Sequence, residues 1–89
     1  MKTNKIERMT KKAVLEALAE KKISADIHME AKDTSPVRTP GAAGICETAK
    51  GNLMVYMVNE AGKLYNTSVH ANRREANGRL FQRLVAANA

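Results

Sequence analysis

Apolar residues recur every three or four positions over residues 4–22, where alanine, leucine, glutamate and lysine dominate. This spacing gives an α-helix one broad apolar face, so the pattern predicts a helix over 4–22. The face consists of Ile6, Met9, Ala13, Val14, Ala17 and Leu18. Threonine is a good N-cap, so Thr10 offers an alternative start, with a shorter helix from near Lys11 and the preceding residues frayed.

Strand patterns follow in the middle of the chain. Residues 25–32 alternate between apolar and polar side chains, which predicts a half-buried strand. Residues 53–58 are continuously apolar and predict a central strand, which the turn at 59–62 joins to a return strand over 63–69. Residues 45–49 are a candidate for one further short strand.

Side-chain alternation also predicts what the faces of the sheet carry. In the return strand we expect Tyr65, Thr67 and Val69 on one face, with Leu64, Asn66 and Ser68 on the other. With both helices packed on one face, the opposite face is expected to be polar. It would carry His28, Glu30, Lys32 and the polar residues of the hairpin.

A second helix is predicted over residues 71–87, with Asn72 as its N-cap. Its apolar stripe consists of Leu80, Phe81, Leu84 and Val85. Asn77 on the apolar side and Gly78 in mid-helix both depart from the usual pattern. They indicate either close backbone packing or a face that meets something other than the core.

The fold class follows from the order of these elements. We expect one α+β domain over 1–89, in the order helix, three strands, helix, with residues 33–44 as a flexible loop that contains two prolines and two glycines. The sheet is expected to be antiparallel and three-stranded, or four-stranded if 45–49 pairs, and to pack against the two helices.

The positive charge lies at the two ends of the chain. The net charge of +6 divides into +4 over residues 1–22, −1 over 23–69 and +3 over 70–89. Clustered cations of this kind suit phosphate binding. The alternative is that they only solvate two helices, since a charge of this size is also ordinary for solubility.

The start of the second helix is the most informative segment. Arg73 and Arg74 fall in its first turn, where cations oppose the helix dipole, so stability does not account for them. A helix N-terminus beside two arginines suits an anion. The alternative is that they cover the sheet edge or pair with Glu47 or Glu60. The expected nucleic-acid-binding residues are Arg73, Arg74, Arg79, Arg83, Lys11 and Lys12, with Arg79 and Arg83 on the solvent side of the helix.

Catalytic and cofactor motifs do not emerge from the sequence. Cys46 would need His28 or His70 close by to act as a nucleophile, and a structural cysteine is the favoured interpretation. The spacing of the two histidines, Cys46 and Asp33 matches no zinc pattern, and there is no phosphate-binding glycine loop. We therefore expect neither an enzyme nor a bound cofactor.

The order of elements and the stretch Arg73-Arg74-Glu75-Ala76-Asn77 resemble the double-stranded-RNA-binding domain. That family carries a Lys-Lys-x-Ala-Lys type motif at the start of its last helix, where the cations grip phosphates. Here two cations and the alanine match, Asn77 replaces the third cation, and the family's Gly-Pro-x-His loop is missing. The resemblance implies recognition of duplex RNA by the shape of its backbone.

The sequence therefore leaves two classes of function open. The first is a small non-enzymatic nucleic-acid-binding module, with duplex RNA as one candidate partner. The second is a protein-binding effector, such as a phage or plasmid protein that docks on an acidic host protein. We expect a cytoplasmic protein without a membrane segment, and the strand at 63–69 leaves a homodimer open.

Overall fold

The computed structural model describes residues 7–29 and 35–88 and has two helices and four strands. In chain order these are α1 (Lys11–Glu20), β1 (Asp26–His28), β2 (Ala42–Glu47), β3 (Leu53–Val58), β4 (Leu64–His70) and α2 (Arg73–Ala87). The α+β fold class is confirmed, and the candidate fourth strand is present.

The four strands form one sheet in the order β1-β2-β3-β4. β2, β3 and β4 are antiparallel neighbours, as expected, whereas β1 runs parallel to β2. The direction of β1 therefore corrects the expectation of a fully antiparallel sheet. The physical reason is the long connection over residues 29–41, since a crossover of about a dozen residues lets the chain start the next strand at the same end of the sheet.

Helix α1 is the shorter of the two alternatives. It begins at Lys11 because the Thr10 side chain accepts a hydrogen bond from the Ala13 backbone N–H at 3.1 Å. It ends at Glu20, two residues before Lys22, whose positive φ of 59° turns the chain out of the helix. The predicted helix over 4–22 was therefore too long, and its residues 4–6 lie outside the described part.

Strand boundaries shift in the first half of the sheet. The strand expected over 25–32 is seen as β1, and its residues 30–32 lie outside the described part. The strand expected over 45–49 begins earlier, at Ala42, so the loop expected over 33–44 ends sooner. Residues 42–47 lie between two partner strands and are buried along most of their length, which favours the small residues found there.

Both helices cover one face of the sheet and enclose the main core. Val14 and Leu18 from α1 meet Leu80 and Leu84 from α2 over this face. The sheet contributes Ala43, Ile45, Leu53, Val55 and Met57. These apolar residues are largely the ones that the periodicity of each segment selects.

The opposite face of the sheet is apolar as well, which corrects the expected polar face. Ala42, Cys46, Tyr56 and Val58 are buried there, and Val37 packs against them. The Val37 N–H donates to the Tyr56 hydroxyl at 3.0 Å. The connection before β2 thus covers a second small core that alternation within single strands does not reveal.

Strand β4 carries a bulge. Val55 stands opposite Ser68 and Met57 opposite Tyr65, so β4 has one extra residue in this stretch, where Asn66 has a positive φ of 51°. Ser68 therefore shares the helix-covered face with Tyr65, and Val69 lies on the other face. The expected grouping of Tyr65 with Val69 was wrong for this reason.

Candidate functional site

The site is organised by an extended segment, residues 7–9, that lies along the first turns of α2. The Met9 N–H donates to the Arg74 carbonyl at 3.1 Å, and the Asn77 side-chain amide donates to the Met9 carbonyl at 3.0 Å. Arg8 forms an ion pair with Glu75 at 3.0 Å. These contacts fix the entry into α1 beside the start of α2.

Gly78 lets this segment approach the helix. A Cβ atom at Gly78 would overlap the backbone carbonyl of Glu7, so no other residue fits without displacement. Asn77, at 3% exposure, supplies the hydrogen bond next to it. Asn77 and Gly78 therefore depart from the helix pattern for the same reason. Of the two interpretations that the sequence left open, close backbone packing is confirmed.

The N-terminal ends of the two helices meet as a result. They enclose a shallow depression of about 380 Å³, lined by Thr10, Lys11, Met29, Arg73, Arg74 and Asn77. We call it the helix-end depression. Three of the six predicted site residues, Lys11, Arg73 and Arg74, line it, and Lys12 is exposed in the same turn of α1 as Lys11.

Arg73 and Arg74 have different surroundings although they are neighbours. The Arg73 guanidinium donates to the Met29 carbonyl at 2.9 Å, which ties α2 to the end of β1. The Arg74 side chain is exposed and makes no hydrogen bond or ion pair within residues 7–29 and 35–88. Arg73 therefore makes a structural contact, and this contact is not the ion pair with Glu47 or Glu60 that the sequence left open. The Arg74 side chain of the same helix turn is exposed to solvent.

The buried Asn77 is also incompletely bonded. Its side-chain oxygen is enclosed and has no hydrogen-bond partner among the described residues, although its amide nitrogen donates to the Met9 carbonyl. The residue stands where the resemblance has a third phosphate-binding cation. In this chain that position holds the segment at residues 7–9.

Arg79 and Arg83 are not on the solvent side of α2 as expected. Both are half-buried, because this row of the helix packs beside β4. The Arg79 guanidinium donates to the Gln82 side chain at 3.1 Å, while the Nε atoms of both arginines are enclosed and have no hydrogen-bond partner in the part of the chain that the structure describes. The six predicted residues therefore form two groups and not one surface.

His70 lies beside this second group. Its Nε2 is 2.8 Å from the Ser68 hydroxyl. Burial is the largest influence and lowers the pKa of His70 below 6.5, and the charges of Arg79 and Arg83 lower it further, against an opposing effect of Glu75. Sequence reasoning did not select His70 or Ser68, since the bulge that puts both on the helix-covered face has no sequence signal.

Cys46 lines a different cavity, of about 370 Å³, together with His28 and Tyr56. His28 is 2.9 Å from the Asp26 carboxylate, but no hydrogen bond joins it to Cys46 among the described residues. Burial raises the pKa of the Cys46 thiol, which opposes formation of the nucleophilic thiolate. The surroundings therefore do not activate this cysteine.

Within residues 7–29 and 35–88, no three histidine, cysteine, aspartate or glutamate side chains are grouped so that they can hold a metal ion. Neither described helix has the length and apolar character needed to span a bilayer. Asp33, from the metal combination considered above, lies outside the described residues.

The fold and site define a small α+β domain with two cationic groups, one where the N-terminal ends of the two helices meet and one between α2 and β4. No protein-family model, curated protein or solved structure matches this chain. The function is therefore inferred from the arrangement of these side chains.

Proposed function

We propose that this protein is a non-enzymatic nucleic-acid-binding module that binds the phosphate backbone at the helix-end depression. The observation that carries the proposal is the meeting of the two helix N-termini, with Lys11, Arg73 and Arg74 around one depression. Helix N-termini attract anions, and arginine suits the geometry of a phosphate. Arg74 and Lys12 then make contacts that the fold itself does not use.

The backbone is the proposed target because the site has charge but few means of reading bases. Recognition of single-stranded bases uses aromatic platforms on a sheet. Tyr56 is buried here, and Tyr65 is the exposed tyrosine of the described sheet. Binding through phosphates depends on charge and shape and is insensitive to sequence.

Duplex RNA is the ligand that we favour within this class. The antiparallel strands β2, β3 and β4 lead directly into α2, and Arg73-Arg74 opens that helix. This is the part of the chain that resembles the double-stranded-RNA-binding domain. The parallel strand β1 and the buried Asn77 depart from that resemblance, so the favoured ligand rests on the motif and not on the whole fold.

The test is a charge reversal at Arg74. We expect Arg74→Glu to weaken binding to labelled duplex RNA at least tenfold at low salt, because it removes one phosphate contact and adds repulsion. Fluorescence anisotropy measures the affinity. The fold should be unaffected, since Arg74 has no side-chain partner in the described structure.

Lys63→Glu is the matched control. It makes the same change of charge on an exposed lysine of the β3–β4 turn, at the far end of β4 from Arg73. We expect only the small effect of a lower net charge. Equal losses in the two variants would contradict a localised site at the helix ends.

A protein-binding effector is the second candidate, and the exposed edge of the sheet favours it. Among the described strands β4 has no neighbour on its outer side, and Tyr65 and Val69 are 41% and 55% exposed. Such an edge can pair with a strand of an acidic partner or of a second copy, although the bulge disfavours regular pairing. Capture of a protein from nuclease-treated lysate that Tyr65→Lys abolishes and Arg74→Glu does not would support this candidate.

A further inference from the structure

The inner side of α2 and the end of β4 form a second cationic group, which we call the α2–β4 seam. Arg79 and Arg83 recur four positions apart and so lie in one row of the helix. Ser68 and His70 stand opposite Val55 and Leu53, which places both on the face that α2 covers. In the seam, two guanidinium groups of α2 therefore face a hydroxyl and an imidazole of β4.

The donors of this seam exceed its acceptors. The Nε atoms of Arg79 and Arg83 are enclosed without hydrogen-bond partners among the described residues, and Gln82 accepts from a different atom of Arg79. Enclosed donors without protein partners are uncommon in folded proteins, and these two can each donate to an added acceptor. The nearby carboxylate of Glu75 forms an ion pair with Arg8.

The charges that face His70 support the same conclusion. On α2 these are Arg79, Arg83 and Glu75, while β3 contributes no ionisable side chain opposite it. Burial is the largest influence that disfavours a proton on His70, and the positive charges of the two arginines add to it. An anion in the seam would oppose the effect of the arginine charges and favour protonation of His70.

We propose that the α2–β4 seam is a second phosphate site, in which Arg79 and Arg83 hold one phosphate group beside Ser68 and His70. The inference rests on the proposed function, because the phosphate it takes is a further one of the same nucleic acid. The Nε and one Nη of each guanidinium lie on the same edge of its plane, which is the bidentate arrangement that suits two oxygens of a phosphate. All four residues keep partial exposure, so a ligand reaches them from the edge of the sheet.

The position of the seam constrains the ligand. Arg83 lies nine residues after Arg74 on one helix, which corresponds to about 13 Å along its axis. The helix-end depression and the seam therefore contact different phosphates. Nine residues also make two and a half turns, so Arg74 and Arg83 lie on opposite sides of α2. A ligand long enough to pass around the helix reaches both groups, and an isolated mononucleotide does not.

The test uses inorganic phosphate and the chain's two histidines as probes. The histidine ring proton resonances are followed by NMR at about pH 6.5, where histidine protonation is most sensitive. We expect phosphate to shift the His70 resonance saturably toward the protonated position, beyond the effect of chloride at equal ionic strength. His28 lies on β1, at the other edge of the sheet, and should not respond.

Two results would overturn the site. One is a His70 response no larger than that of chloride, which needs only the wild-type protein. The other is an unchanged His70 response in the double variant Arg79→Gln, Arg83→Gln. Ser68→Ala, a smaller change, should weaken the phosphate response if the double variant does not fold.

Nucleic-acid binding separates this inference from the proposed function. In the double variant the magnitude of the slope of log affinity against log salt should fall by about one, because the contact with one phosphate group is lost. Wild-type protein that binds phosphate at His70 but no nucleic acid would refute the proposed function alone. Nucleic-acid binding with an unchanged slope in the double variant would refute the seam as a contact.

Discussion

Neighbouring arginines in this protein differ in role because their contacts differ. Arg73 donates to the Met29 carbonyl, whereas Arg74 has no side-chain partner in the described structure. The sequence predicts that both arginines lie in the first turn of α2 and marks both as binding residues. It does not reveal the carbonyl acceptor of Arg73, which is 44 residues away in the chain. It also identified Asn77 and Gly78 as irregular, and only the tertiary contact with residues 7–9 explains them.

Gly78→Ala tests that contact, because the contact determines whether the substitution raises or lowers the free energy of unfolding. Alanine favours a helix by about 1 kcal/mol over glycine, so an unobstructed position would be stabilised. We expect a loss of about 1–3 kcal/mol instead, because the added methyl group meets the Glu7 backbone. Urea unfolding measures the change. In a chain without residues 1–7 the same substitution should stabilise, and stabilisation of the full chain would contradict the account.

His70 predicts a component of the pH dependence of stability. Its pKa is lower in the folded protein than the ordinary 6.5, so the unfolded chain binds the proton more readily. Stability should therefore fall as the pH drops below the ordinary value, and the loss should level off below the folded pKa. The free energy of unfolding in urea checks this, measured for the wild type and for His70→Gln at pH values above and below the ordinary pKa of histidine. An equal pH dependence in both proteins would contradict it.

Individual elements were predictable where local pattern and tertiary structure agree. The strand at 53–58 has the expected bounds, and the Asn72 side chain accepts hydrogen bonds from Arg74 and Glu75 as an N-cap. The first helix was overextended, because the apolar spacing of Ile6 and Met9 continues its pattern while residues 7–9 pack as an extended segment. The direction of β1 and the bulge in β4 depend on pairing with distant strands, which periodicity within one segment does not encode.

The segment that covers the second sheet face gives a prediction at the element scale. Tyr56→Phe removes the hydroxyl that accepts from the Val37 N–H and should destabilise the protein by about 1 kcal/mol. Tyr65→Phe is the control, since Tyr65 is exposed and its hydroxyl has no partner in the described structure. Thermal unfolding compares the two. Equal midpoints would show that this hydrogen bond does not hold residue 37 on the sheet.

At the scale of the whole molecule, the basic residues of the two chain ends become neighbours in the fold. The contacts of residues 7–9 with α2 bring the basic start of the chain beside the basic last helix. The clustering of charge could be predicted from the sequence, but its division between the helix-end depression and the α2–β4 seam could not. That division depends on which row of α2 faces β4.

The salt dependence of nucleic-acid binding tests the central claim most directly. Labelled duplex RNA, duplex DNA and single strands are titrated by fluorescence anisotropy at several salt concentrations. We expect affinity for duplex RNA to fall steeply, with a log–log slope of about −3 to −5 for contacts at both cationic groups. Absence of binding at low salt, or a slope shallower than about −1, would contradict phosphate recognition by this fold.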